Sequence, residues 1–213
     1  SAVPARAELT AAKTGSLPQA PQSARAAQTS TASPTVPQAD AQPAVGMSTE
    51  LLNKIASADW QALQTLSQHC TACALSAMGR QHVVFSDGGP GPKLVVVGEA
   101  PGAEEDLQGI PFVGKSGKLL TAMLDSLGLV RRRDCVILNV LKCRPPRNRN
   151  PQPEEIVCCG HWLARQLELL KPDVLFLAGR FAISSLLKPA DEMFSISKMR
   201  GRIHLAQLPD GSG

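Results

Sequence analysis

Hydrophobic and polar positions divide the chain sharply near residue 46. Before that point, Ala, Pro, Gln, Ser and Thr dominate, with no aromatic side chain and hardly a large aliphatic one. Such a stretch buries too little apolar surface to offset the ordering of its backbone, so residues 1–46 are expected to be a disordered tail and residues 47–213 the folded domain. After Met47 the apolar positions become periodic. Ser48 is placed to cap a helix carrying Leu51, Leu52 and Ile55, and Leu63 and Leu66 lie on a second helical stretch leading to Cys70. The run Lys93–Gly98 (Lys-Leu-Val-Val-Val-Gly) is β-branched and bounded by Pro92 and Gly98, which predicts a strand buried on both faces. From Lys115 to Leu127 the residues Leu119, Leu120, Met123, Leu124 and Leu127 recur at helical spacing, and Gly128 marks the end of that helix.

The alternation continues. Cys135–Leu138 predicts a second buried strand. Pro153-Glu154-Glu155 opens a helix with a proline and two acids in its first turn, extending to about Leu170 and closed by Pro172. Asp173–Ala178 is a third strand, Arg180–Leu187 a helix, and Arg202–Gln207 is expected to begin a fourth strand. Strands alternating with helices imply crossovers between parallel strands. The predicted fold is a three-layer α/β/α sandwich around a short, mostly parallel four-stranded sheet whose last strand is incomplete.

Composition narrows the chemistry. The 213 residues carry 22 Lys and Arg against 18 Asp and Glu, a net charge of +4 that permits a polyanionic partner without requiring one. The distribution says more. Arg131, Arg132, Arg133, Lys142, Arg144, Arg147 and Arg149 lie within one stretch opposed only by Asp134, and they form either a phosphate-contacting surface or a solvated charged face. No apolar run reaches the roughly 18 residues that span a bilayer, and no secretory apolar segment is present. Six cysteines in such a chain point to a reducing compartment, where thiols hold metals or fill cores. The chain starts at Ser1 and its first Met is Met47, as expected of a fragment or a processed product.

In an open α/β sheet, ligands bind beyond the carboxyl ends of the strands. After the first strand stands Gly98-Glu99-Ala100-Pro101-Gly102-Ala103-Glu104-Glu105-Asp106, a tight turn around an acid, followed by Pro111-Phe112-Val113-Gly114. Phe112 is either a stacking surface or a plug beneath its loop. After the second strand, Asn139 offers an amide donor and acceptor side by side, suited to reading a base edge, although an Asn in that place more commonly caps a turn. Cys70 and Cys73 form a Cys-x-x-Cys pair, with Cys143 and Cys159 sixteen positions apart, a set that fits zinc or a cubane iron–sulfur cluster. Cys158 competes with Cys159 for the fourth place. Cys159 shares a helical stripe with Ile156, Leu163, Leu167 and Leu170, whereas Cys158 lies about 100° around the helix. Cys158 and Cys135 read as apolar fillers.

Taken in order, Cys-Thr-Ala-Cys at 70–73, Gly-Glu-Ala-Pro-Gly at 98–102, Pro-Phe-Val-Gly at 111–114, Asn139 to Arg149 and the Glu-Glu-Ile-x-x-Cys run ending at Cys159 closely resemble the family 4 uracil-DNA glycosylases, and the match runs from about Thr49 to His204. The resemblance implies a base-excision repair hydrolase that flips deoxyuridine out of uracil-containing DNA, cleaves its N-glycosidic bond and leaves an abasic site. It implies a mainly structural [4Fe–4S] cluster on Cys70, Cys73, Cys143 and Cys159. Phe112 would stack on the flipped base, Asn139 read its Watson–Crick edge, Ala100 line the substrate site and Glu105 wall it near uracil C5. Glu99 would position the attacking water with Asn148 as helper, and Lys142, Arg144, Arg147 and Arg149 would hold phosphates. A monomer in the bacterial cytoplasm, associated with the nucleoid, completes the expectation. The family's second motif, a His-Pro with an apolar stretch and an Arg, is expected shortly after Gly213, which would leave this chain impaired as a catalyst; His204 in Arg200–His204 is not read as catalytic. Three other readings stay open: a non-catalytic nucleic-acid-binding module, a relative with another base preference, and a zinc protein.

Overall fold

The computed structural model describes residues 46–187 and 195–205. The expected disordered tail, apart from Gly46, and the end of the expected fourth strand lie outside the described residues. Helix α1 (Thr49–Ser57) starts where the sequence places it: Ser48 Oγ accepts the Leu51 N–H at 3.1 Å. Asp59 does the same for α2 (Trp60–Gln68) through the Ala62 N–H at 2.8 Å. A 3-10 turn, Ala74–Ala77, follows the first cysteine pair.

Strand β1 (Leu94–Gly98) leads to α3 (Ala103–Gln108) and α4 (Lys115–Ser126), and β2 (Cys135–Asn139) to the long α5 (Pro153–Leu170). Strand β3 (Val174–Leu177), α6 (Arg180–Leu187) and the short α7 (Ile196–Met199) complete the series. All three strands are parallel, in the order β2-β1-β3, with Gly98 opposite Asn139 at the carboxyl end. Side-chain alternation sorts the strands into two cores. Val95, Val97, Val136 and Leu138 pack with Leu63, Trp162, Leu163 and Leu167 from α2 and α5; Val96, Cys135 and Ile137 pack with Leu120 and Leu124 of α4. Helices thus cover both faces, and the α/β architecture stands as predicted.

Two expectations change. Among the described residues the sheet has three strands, and 202–205 are exposed without strand pairing, so the fourth strand does not form there. Strand β3 lies at the sheet edge among the described residues, and its Val174 and Phe176 side chains are exposed. The five apolar residues of α4 split between two faces. Leu120 and Leu124 are buried, whereas Leu119, Met123 and Leu127 face outward.

The free edge of β2 is covered by residues 83–88. Val84 donates to the Lys142 carbonyl at 2.7 Å, and Asp87 exchanges both backbone bonds with Ile137 at 2.9 and 3.0 Å. Helix α4 in turn packs its first turn so tightly under the preceding loop that a Cβ at Gly117 would overlap the Phe112 carbonyl. The Gly117→Ala variant is therefore expected to lose about 1–3 kcal/mol of stability, as overpacked sites do. Leu119→Ser, on the outward face, should change stability by less than about 0.5 kcal/mol. Thermal denaturation of the two variants checks the contrast.

Candidate functional site

Beyond the carboxyl ends of β1 and β2 lies a cavity of about 180 Å³, with Glu99, Ala100, Glu105, Phe112, Asn139 and Asn148 in its wall. Its floor follows from strand alternation. Asn139 is on the same face as Cys135 and Ile137, and Gly98, its register partner, on that of Val96. A Cβ at Gly98 would stand 2.5 Å from Asn139 Oδ1 and 2.5 Å from two ring carbons of Phe112. Only glycine leaves room for the amide and the ring to meet there. Asn139 is 2% exposed, and its Oδ1 has no hydrogen-bond partner among the described residues. A buried acceptor left unpaired costs roughly 1–3 kcal/mol, so this atom is suited to an incoming N–H donor.

Phe112 is held in an uncommon conformation, with φ at +55°. Two braces fix it. Glu105, buried in the first turn of α3, accepts the N–H groups of Gly102 (3.1 Å), Val113 (2.9 Å) and Gly114 (2.8 Å). Both its oxygens are engaged by backbone, so Glu105 lines the cavity as a loop brace. The second brace is Arg131, whose guanidinium donates to the carbonyls of Pro111 and Phe112, each at 2.6 Å.

Glu99 is half-buried. Burial raises its carboxyl above the ordinary carboxylate range, and the Arg180 charge opposes that rise only in part. Asn148 lies on the opposite lip in a left-handed conformation (φ +55°), and its Oδ1 accepts Arg144 Nε at 2.7 Å.

The basic run is not one phosphate face. Lys142 is 2% exposed and its ammonium donates to the Asn139 carbonyl at 2.6 Å, so it points inward behind the cavity floor; this corrects its expected phosphate contact. Burial pulls its pKa down to about 8 against the opposing influence of Cys159 and Cys143. Arg149 is forked on Glu155, with Nη1 at 2.9 Å and Nη2 at 2.5 Å, so much of its charge is already balanced. Burial pushes the Glu155 carboxyl up, yet the Arg149 fork and the Gln152 N–H together hold it below the ordinary range. Arg131 and Arg132 both pair with buried Asp87, and Arg133 with Asp134. Arg144 is part-exposed and Arg147 exposed beside the cavity lip.

A second, tighter cavity lies behind Lys142. Cys70, Cys73, Cys143 and Cys159 all line it, as does Cys158. Hydrogen bonding separates the two neighbours. Cys159 Sγ accepts the Lys142 N–H at 3.4 Å, whereas Cys158 Sγ donates to the Ala72 carbonyl at 3.5 Å. An accepting sulfur suits a thiolate ligand, and a donating one is a thiol. Cys143 Sγ accepts from Arg80 Nη1 at 3.0 Å, and Arg80 Nη2 donates to the Cys70 carbonyl at 2.7 Å. Burial raises these thiols, Cys143 to about 11 and Cys159 further, with Arg80 and Lys142 respectively opposing the rise. Without a bound cation such sulfurs stay protonated; an iron or zinc centre is what makes them thiolates. Among the described residues, no three His, Cys, Asp or Glu side chains close on a single-ion site. Cys135 lies in the core against α4, away from these sulfurs, as a filler. Arg80, Asp87 and the inward role of Arg131 have no sequence motif; each acts on residues far along the chain.

The profile of the uracil DNA glycosylase superfamily matches residues 85–210. The chain is similar to a type-4 uracil-DNA glycosylase of Archaeoglobus fulgidus, at 48% identity over 136 residues, covering 63% of this chain and 67% of that one. The Thermotoga maritima type-4 enzyme is 48% identical over 132 residues (62% and 67%), and that of Saccharolobus solfataricus 40% over 136 residues (63% and 62%).

Replacing Glu105 with Ala removes the acceptor of three backbone donors at once. The variant is expected to lose at least about 1–3 kcal/mol of stability. Amide exchange at Val113 and Gly114 should quicken more than exchange in β1, as measured by hydrogen–deuterium exchange.

Proposed function

The chain belongs to the uracil DNA glycosylase superfamily and is a DNA N-glycosylase, and from that premise we propose that it is an iron–sulfur uracil-DNA glycosylase of base-excision repair. The observation that carries the proposal is the unpaired Asn139 Oδ1 facing the Phe112 ring across Gly98. Uracil presents an N3–H donor beside its O4 acceptor, which an Asn amide matches; cytosine presents the reverse and would leave buried groups unpaired. Phe112 offers the flipped base a stacking face.

Hydrolysis breaks the bond between C1′ and N1. The electron pair leaves with uracil, and positive charge grows on the sugar. The Glu99 carboxylate stands at the cavity wall where it can hold the water that attacks C1′, take its proton and balance the sugar charge. Asn148 helps orient that water. Ala100 supplies a small wall, Arg144 and Arg147 are the exposed or part-exposed members of the basic run with no acidic partner among the described residues and would meet phosphates, and Arg149 fixes the lip through Glu155. The set Cys70, Cys73, Cys143 and Cys159 suits a [4Fe–4S] cluster: four cysteine sulfurs around one buried cavity, two of them accepting N–H bonds. Such a cluster would supply a covalent tie among the segment after α2, the end of β2 and α5. The same reading makes uracil-containing DNA the partner, a monomer the working state and the bacterial cytoplasm the location. No helix among the described residues is long and apolar enough to cross a membrane.

Three outcomes test the reading. The purified protein should be brown and carry iron with acid-labile sulfide; stoichiometric zinc in its place would remove the cluster. It should release uracil, and neither cytosine nor thymine, from single-stranded oligonucleotides, with Asn139→Ala and Phe112→Ala each lowering kcat/KM by roughly tenfold or more. Glu99 must be ionised to act, and its raised pKa places the loss of activity on acidification above the ordinary carboxylate range: full activity above that pKa, declining as pH falls through it. The Glu99→Gln variant should be slow at every pH and lack this limb. A wild-type acid limb surviving in that variant would remove Glu99 from the mechanism.

A further inference from the structure

Arg131 makes more directed contacts to the Phe112 loop than any core arginine needs for packing. Its Nε donates to Asp87 at 2.7 Å, Nη1 to the Phe112 carbonyl at 2.6 Å and to Thr121 Oγ1 at 3.2 Å, and Nη2 to the Pro111 carbonyl at 2.6 Å. The side chain is 18% exposed, and Asp87 only 3%. Its backbone is fixed where β2 begins, through a bridge to Cys135, and Asp87 is fixed on the edge of β2 by its exchange with Ile137. The guanidinium therefore joins the start of β2, the covering segment, α4 and the two carbonyls that flank the Phe112 Cα. Phe112 sits at φ +55°, a conformation costly for an aromatic residue, and its carbonyl presses against Gly117. Something must hold it there.

We infer that Arg131 is a positioning residue: it clamps the Phe112 carbonyl so that the ring is held over the Gly98–Asn139 floor before any base arrives. This rests on the reading of Phe112 as the stacking ring. The clamp needs arginine. A planar fork spans two successive carbonyls while keeping Asp87, and a lysine ammonium offers one nitrogen for all of them. Asp87 also accepts from Arg132 Nε, so removing Arg131 does not strand its buried carboxylate. A pre-set ring spares the bound state the ordering that a loose loop would require.

The test is equilibrium binding of a single-stranded oligonucleotide carrying one 2′-fluoro-2′-deoxyuridine, which resists cleavage, against the same strand with 2′-fluoro-2′-deoxycytidine. Phe112→Ala is expected to weaken uridine binding roughly 5- to 150-fold. Arg131→Met should weaken it on the order of tenfold, leave the cytidine strand unchanged, and add no further loss to Phe112→Ala, because both variants remove the same stack. Arg131→Lys keeps the charge beside Asp87 and should resemble Arg131→Met, and it serves in its place if the methionine variant does not fold. Losses that multiply in the double variant would overturn the clamp. So would a drop of about 0.7 in the slope of log affinity against log salt, the mark of a lost phosphate contact. Phe112→Ala binding as tightly as the parent chain would instead overturn the stacking reading, and the purpose of the clamp with it.

Discussion

The structure turns on one absent side chain. Where two parallel strands end side by side, Gly98 faces Asn139, and the missing Cβ leaves the space in which an amide and an aromatic ring come together. Any other residue at 98 would fill that space. The arrangement is costly on its own, because it buries an amide oxygen without a partner and bends Phe112 into a left-handed conformation. Its surroundings exist largely to hold it: Glu105 from one side by three backbone N–H groups, Arg131 from the other by two carbonyls. A pocket with a buried acceptor left open is one that a ligand carrying an N–H donor would relieve.

The five residues from Asn139 to Cys143 connect the two cavities. Val140 and Leu141 donate to the carbonyls of Gly98 and Glu99, each at 2.9 Å, which fixes both cavity-lining loops to one another. Lys142 reaches back to the Asn139 carbonyl and donates its own N–H to Cys159, while its carbonyl accepts from Val84. Movement of the thiol site would therefore be felt at the amide through a short, fully bonded segment. The sulfurs therefore have a physical path to the cavity floor in this chain.

Much of this was legible in the sequence, and the boundary is informative. The β-branched runs gave β1 and β2, Ser48 gave the first cap, Pro153 with two acids gave the start of α5, and the glycine–acid loops gave the place of the cavity, since each of these is a local signal. The stripe on α4 misled because helical spacing shows that residues share a surface without saying which surface meets the core. The basic run misled for a related reason. Its opposition was sought nearby in Asp134, whereas the acid that draws Arg131 and Arg132 inward is Asp87, more than forty residues earlier. Lys142 looked like its neighbours in composition, and contacts remote or unmarked in sequence hold it inward: its N–H on Cys159, its carbonyl under Val84 and its ammonium on the Asn139 carbonyl.

The inward turn of Lys142 also bears on what the sulfurs hold. Arg80 and Lys142 direct one cationic side chain and one backbone N–H at Cys143 and Cys159, and the Lys142 ammonium lies fully buried with a single carbonyl as acceptor. A cation so placed is strongly disfavoured unless negative charge lies near it. Glu105 and Asp106, both buried, are committed to backbone donors of their own loops, and Glu155 is forked on Arg149. Among the described residues no carboxylate pairs with the ammonium, and the cysteine sulfurs beside it would carry balancing charge if a bound metal centre made them thiolates. The charge pattern behind the cavity floor would suit a filled site, and the Asn139 carbonyl accepts from that ammonium in the structure as it stands.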